Sequence, residues 1–310
     1  MTICVFIFTI TADITLFESA KMKKFMIFAA LLLLLPLSAQ AIWFWSYDED
    51  AEQPKDKVWG NRHSQSFYAV KKEMLDKIYY DQRITLYCGA DFTKHKEIIR
   101  PRGFVLPDLT KTEFDVYDIS AEELQRKATR MEWEHIVPAQ NFGKTFPEWY
   151  AGKEACVSKK GKKFKGRACA EQESEEFRYM YTDMYNLYPA IGAVNYLRAN
   201  YNFTQFTKPI KPTFGVCGGM AIYKNKVEPR DAVKGLIART YLYMQNTYPR
   251  YRISENMAAI LNVWNKQFPV TPWECERAYR IEKVQGNANE IVKPLCIQAG
   301  MYGDRPRTKW

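Results

Sequence analysis

Histidine is scarce in this 310-residue chain: His63, His95 and His135 are the only three, and His135 alone stands beside an acidic residue. Histidine chemistry, if the chain performs any, therefore centres on position 135. No two cysteines have the tight spacing of a zinc-binding pair, which turns the cysteines toward disulfides instead. A bilayer-spanning run is missing too, since the apolar residues 25–37 fall well short of the roughly 20 that such a helix needs. Beyond them the chain has no internal repeat and no low-complexity linker, so nothing marks a solenoid or a string of modules.

What is present begins with a leader. Lys21, Lys23 and Lys24 precede the apolar residues 25–37, and Ala39-Gln40-Ala41 follows as a small-residue cleavage pattern. Together they mark a secretory signal over residues 22–41, cut near Ala41. The signal starts naturally at Met22, so residues 1–21 read as an upstream extension. Residues 42–310 then have the length of one ordinary domain or two small ones, a single mixed domain being the simplest, periplasmic or secreted, with no membrane insertion once the leader is gone. Losing three lysines and two acids (Asp13, Glu18) takes the formal net charge from +10 to +9. Such a surface attracts polyanions, although charge alone does not choose among nucleic acid, lipopolysaccharide and anionic lipid.

Cys4 leaves with the leader, and Cys88, Cys156, Cys169, Cys217, Cys275 and Cys296 remain. An even count in an exported chain implies three disulfides. Cys156 with Cys169 is the pair to expect, because it would pin the ends of a basic loop carrying Lys159, Lys160, Lys162, Lys163, Lys165 and Arg167. That loop is either solvated surface or a tracker of phosphates whose contribution falls steeply with salt.

Periodicity gives an α+β chain that becomes helix-rich toward its C-terminus. Phe67, Val70, Met74, Leu75 and Ile78 recur at helical spacing over residues 66–80. Residues 85–88 and 114–117 read as short strands, residues 100–112 as loop around Pro101, Gly103 and Pro107, and residues 121–129 as a helix. Val233, Ile237, Tyr241 and Met244 form one apolar stripe, and Met257, Ile260, Leu261, Trp264 and Phe268 another. Thr271-Pro272-Trp273-Glu274 is a helix start in which Thr271 caps and Glu274 can reach back, and Gly286 suits the helix end. Residues 42–56 mix aromatics with acids and read as a loosely held lead-in.

The chemistry concentrates in two segments, MEWEHIVPA at 131–139 and DMYNLYPAIGAVN at 183–195. Glu134 and His135 meeting Asn186 would hold a divalent cation against a phosphodiester. His135, with an ordinary pKa near about 6.5, can take a proton from water. Glu134 and the Asn186 amide offer hard oxygen donors that suit Mg²⁺, with water and phosphate completing the shell. A strand would send Glu134 and His135 to opposite faces unless it ends there. On these residues alone a nuclease and a non-catalytic polyanion binder both stand, and Trp133 and Tyr185 read as packing residues.

At these two segments the chain resembles the bacterial endonuclease I family, exported nucleases with a ββα-metal (His-Me) finger. YCGADF around Cys88, PRDAVKGLIARTYLYM from Pro229 and WECERAYRIEKVQGNAN from Trp273 resemble family segments as well. The resemblance implies a single mixed domain containing that finger. It implies His135 as general base, Glu134 and Asn186 as metal ligands, and Arg167 in GRAC as the arginine that steadies the phosphate. It further implies Mg²⁺ with Mn²⁺ as a substitute, and a monomer. The substrates it implies are double- and single-stranded DNA, with RNA as a further one, cut without sequence preference to 5′-phosphate ends. Ala90 stands where several relatives have a second cysteine, so their bridge pattern does not transfer whole.

Overall fold

The computed structural model describes residues 60–110, 117–215 and 220–303. The leader, the boundary at residue 42, the lead-in at 42–56, positions 114–116 of an expected strand and Cys217 lie outside the described residues. The first helix, α1, spans Phe67–Glu73 and continues as a π turn, Met74–Ile78. Ser66 caps it by accepting the Ala69 N–H at 3.3 Å, and Val70, Met74 and Ile78 are sealed in the core. Residues 85–88, expected as a strand, form a turn. The Thr85 N–H reaches the Ala90 carbonyl at 2.8 Å while the Gly89 N–H returns to the Thr85 carbonyl at 2.9 Å. The β-branched and aromatic composition misleads here because the chain reverses within these few residues, with only Ile84 and Asp91 bridged across it.

Helix α2, Ala121–Lys127, is capped by Ser120 and leads into strand β1, Met131–His135. Four short helices follow: α3 (Ala139–Gly143), α4 (Pro147–Tyr150), α5 (Arg167–Glu173) and α6 (Glu175–Tyr181). A 3-10 turn, Met184–Asn186, then delivers strand β2, Leu187–Ile191. β1 and β2 pair antiparallel, with Glu134 opposite Tyr188 and His135 opposite Leu187. Helix α7, Gly192–Arg198, starts directly after β2 and packs on both strands. Gly192 makes that approach feasible: a Cβ there would stand 2.7 Å from the Lys127 carbonyl oxygen and 3.0 Å from Glu132 Oε1.

A small second sheet joins β3 (Asn202–Phe203), β5 (Lys226–Glu228) and β4 (Ala221–Tyr223) in that spatial order. The C-terminal part is helical as its spacing requires: α8 (Asp231–Thr247), α9 (Glu255–Gln267), α10 (Pro272–Gln285) and α11 (Lys293–Gln298). Thr271 caps α10 by accepting the Glu274 N–H at 3.2 Å, and Gly286 ends it in the left-handed region at φ +86°. Glu274 does not reach back to complete a capping box. Its carboxylate is buried and takes Arg239 Nε and a terminal nitrogen at 2.7 Å each, a paired contact stronger than a single bond to an exposed N–H.

Two buried polar centres join these helices to the β1–β2 ribbon. Arg277 of α10 donates to the Met184 and Leu187 carbonyls at 2.6 and 2.7 Å and to the Tyr79 and Tyr188 hydroxyls at 2.8 and 2.9 Å. Its guanidinium lies 3.7 Å from the Tyr188 ring centre. Asp183 accepts from the Tyr243 and Tyr248 hydroxyls, the Gln285 amide and the Tyr185 N–H. The turn that feeds β2 is thus held from two sides by the C-terminal helices. Cys156 bonds Cys169 as expected, Cys275 bonds Cys296, tying α10 to α11, and Cys88 is disulfide-bonded as well. The described residues fall within one compact α+β unit, Val58–Trp310.

Candidate active site

The ribbon and α7 wall a cavity of about 620 Å³, whose lining includes Glu132, Glu134, His135, Arg167, Asn195 and Arg198. Glu132 and Glu134 are two residues apart on β1 and so share a face. His135 is the last residue of the strand. The chain bends at Ile136 and Val137, just beyond it, although the Ile136 N–H still bonds the Asn186 carbonyl at 3.1 Å and so extends the ladder by one pair. An acid and the adjacent imidazole thus border the same space at the end of the strand.

His135 Nε2 sits 2.8 Å from the Tyr181 carbonyl oxygen. A carbonyl only accepts, so Nε2 carries the proton and Nδ1 keeps its lone pair. The ring is stacked on Tyr181 at 4.6 Å between centroids and on Phe67 at 5.5 Å. Burial pushes the imidazole pKa down to about 4, and the nearby Arg167 and Arg198 charges add to that. At neutral pH the ring is therefore uncharged and able to accept a proton.

Glu134 is almost fully buried, and its Oε1 accepts the Tyr87 hydroxyl at 2.8 Å and an Arg198 terminal nitrogen at 3.0 Å. Burial raises its carboxyl above the usual range, while the Arg198 charge and these two donors pull the other way. Arg198, itself sealed, also donates to the His135 and Ile136 carbonyls at 2.8 and 2.7 Å. One guanidinium thereby fixes both the carboxylate and the backbone that carries the imidazole. Glu132 takes Lys127 Nζ at 3.0 Å on one oxygen and the Asn195 amide nitrogen at 3.0 Å on the other.

Asn186 does not join this group. Its side chain is fully buried, with Oδ1 accepting the Val137 N–H at 2.8 Å and Nδ2 donating to the Val137 carbonyl at 3.0 Å. Both ends of the amide are consumed in clamping the segment after β1, and Asn186 is not among the cavity's walls. Two asparagines do border the cavity, Asn195 on α7 and Asn200 just past that helix; the Asn200 amide is engaged by Gln140, which leaves Asn195 as the one that faces the Glu132–Glu134 side. A signal for it lay in the sequence: Pro189 and Gly192 mark a strand giving way to a helix, and Asn195 is one turn into that helix. Nothing in the sequence singled out Glu132 or Arg198.

Arg167 opens α5, is exposed, and lies 5.6 Å from the Tyr181 ring centre, at the cavity's margin. The disulfide two residues later anchors it beside the exposed lysines 159, 160, 162, 163 and 165. Among the described residues no three His, Cys, Asp or Glu side chains stand together as a metal cage. The oxygen donors that border the cavity include Glu132, Glu134 and Asn195, with Gln140 and Asn200; beside them stand the lone His135 imidazole and no thiolate. That set fits a small hard cation completed by water and substrate oxygens, and it does not fit zinc.

A family model described as Endonuclease I matches residues 66–295. An extracellular deoxyribonuclease of Aeromonas hydrophila is 34% identical over 236 residues, 76% of this chain and 92% of its own length. A periplasmic deoxyribonuclease of the same organism is 34% identical over 238 residues, covering 76% of this chain and 88% of the relative. The protein called Endonuclease-1 in Buchnera aphidicola subsp. Acyrthosiphon pisum (strain APS) is 33% identical over 235 residues, 76% and 83% of the two chains.

Proposed function

Because this chain belongs to the endonuclease I family, we propose that it is an exported, Mg²⁺-dependent endonuclease. It hydrolyses phosphodiester bonds of DNA, and of RNA, without sequence preference. The observation that carries this reading is one cavity bordered by an uncharged imidazole, a buried carboxylate, an amide and an arginine, and that arginine directly follows the lysine-rich stretch in the chain. His135 Nδ1 draws a proton from water while Nε2–H stays on the Tyr181 carbonyl, which fixes the tautomer. The water oxygen attacks phosphorus and the bond to the 3′-oxygen breaks, giving a 5′-phosphate and a 3′-hydroxyl. Arg167 holds a phosphate oxygen at the cavity's margin.

Glu134 and Asn195 would hold the cation, Asn195 in place of Asn186, with Mn²⁺ able to substitute. When bound, the ion supplies charge shielding at the phosphoryl oxygens and at the departing oxygen. Arg198 keeps Glu134 in place and Tyr87 supports it. The ribbon β1–β2 with α7 is then the ββα finger of this protein, which acts as a monomer in the periplasm or outside the cell. Supercoiled plasmid incubated with Mg²⁺ should be nicked and then degraded, and EDTA should stop it. Retardation of the same plasmid with no nicking in Mg²⁺ or Mn²⁺ would leave a polyanion-binding protein instead.

A further inference from the structure

The cavity contains a carboxylate that the proposed reaction does not use. Glu132 stands between Lys127, at the end of α2, and Asn195, on α7, bonded to each at 3.0 Å. Its side chain and that of Lys127 are partly covered, 35% and 24% exposed, and the Lys127 ammonium also lies 5.2 Å from the Tyr196 ring centre. Gly192 brings the strand this close to the helix, since any side chain there would meet Glu132.

We propose that Glu132, held by Lys127, is a positioning residue that fixes which end of the Asn195 amide faces the cavity. A primary amide has an oxygen and a nitrogen of nearly equal size, and a free one presents either. A carboxylate accepts and never donates, so Glu132 captures the amide nitrogen and turns Oδ1 away from itself. A cation needs that oxygen, because an NH₂ group pointed at it is repelled. This inference rests on the reading in which Asn195 is a cation ligand. Partners that orient a metal ligand are commonly worth about 10–100-fold in affinity.

The test is Mn²⁺ binding to the folded full-length protein without DNA, followed by calorimetry or by the electron-spin signal of free Mn²⁺. Glu132→Ala should weaken Mn²⁺ by about 10–100-fold, and Glu132→Gln, which keeps an acceptor oxygen, should recover most of the loss. The decisive variant is Asn195→Asp, whose two oxygens are equivalent and need no orienting. Adding Glu132→Ala to it should cost less than about threefold, a coupling read directly from the double-mutant cycle. An equal loss in both backgrounds would show that Glu132 acts through its charge alone and would overturn the proposal. So would unchanged Mn²⁺ binding in Glu132→Ala while Asn195→Ala loses it, a result that leaves the cation reading standing. Unchanged binding in Asn195→Ala and Glu134→Ala together would sink that reading, and the role of Glu132 with it.

Discussion

Asn186 and Asn195 come from one short stretch and use the same side chain in opposite ways. The turn holding Asn186 is sealed, backed by Arg277 and Asp183, and its amide serves only the Val137 backbone. The helix holding Asn195 begins beyond β2 and turns its amide toward open space, where a carboxylate rather than the backbone receives it. Residue type is shared; what differs is whether the amide is spent on the backbone or borders a cavity. Arg277, Asp183 and Asn186 are engaged on every polar end behind the turn that feeds β2, whereas Asn195 gives its amide nitrogen to Glu132 beside the cavity.

The most severe test of this division is His135→Ala, which should lower cleavage by about 10²–10⁴-fold while gel-shift affinity for DNA holds. Turnover near the wild-type rate would place the base elsewhere. Next, Asn195→Ala should raise the Mg²⁺ needed for half-maximal activity by at least about tenfold, whereas Asn186→Ala should leave that midpoint alone. A reversed pair of results would return the ligand role to Asn186. Asn186→Ala should act on folding instead, stranding the Val137 N–H and carbonyl at about 1–3 kcal/mol for each buried unpaired group, measured by urea denaturation.

A gentler effect follows from the neutral imidazole. The folded-state pKa near 4 lies below the ordinary 6.5, so the folded protein resists protonation that the unfolded chain accepts. Melting temperature should therefore fall as pH drops below about 6.5 and level off near about 4, and His135→Gln should flatten that part of the curve. The smallest change is expected from replacing Lys159, Lys160, Lys162, Lys163 and Lys165 with Gln. Affinity for DNA should then depend less steeply on salt, by roughly one unit of slope for each phosphate that the loop no longer neutralises. An unaltered slope would class the loop as solvated surface.

Local rules carried a good part of this structure. The stripes over residues 231–247 and 255–267 became helices, the second burying one face through Met257, Leu261 and Trp264 and the first buried nearly all round from Val233 to Met244. Thr271 and Gly286 bound α10 through contacts a few residues away, and Cys156 found Cys169 across a short loop. Distant competition explains the failures. Glu274 had a local capping role open to it, but Arg239, far back along the chain, offered two charged donors in a buried setting. The turn at residues 85–88 is set partly by the Pro189 carbonyl, which takes the Leu86 N–H at 2.8 Å. Of the residues that border the cavity, the Glu134–His135 pair stood out from its own place in the sequence, while Arg167 was pointed to only by the family resemblance. Side-chain direction was not legible there, and direction is what separates Asn195 from Asn186.

At Gly192 the start of α7 lies against the Lys127 carbonyl and the Glu132 carboxylate with no room for a methyl group, so the seat of α7 beside Glu132 is gauged by bare main chain. No rotamer change can absorb a thicker residue at that point. A dimension of the candidate site is thus set where the chain has no side chain at all.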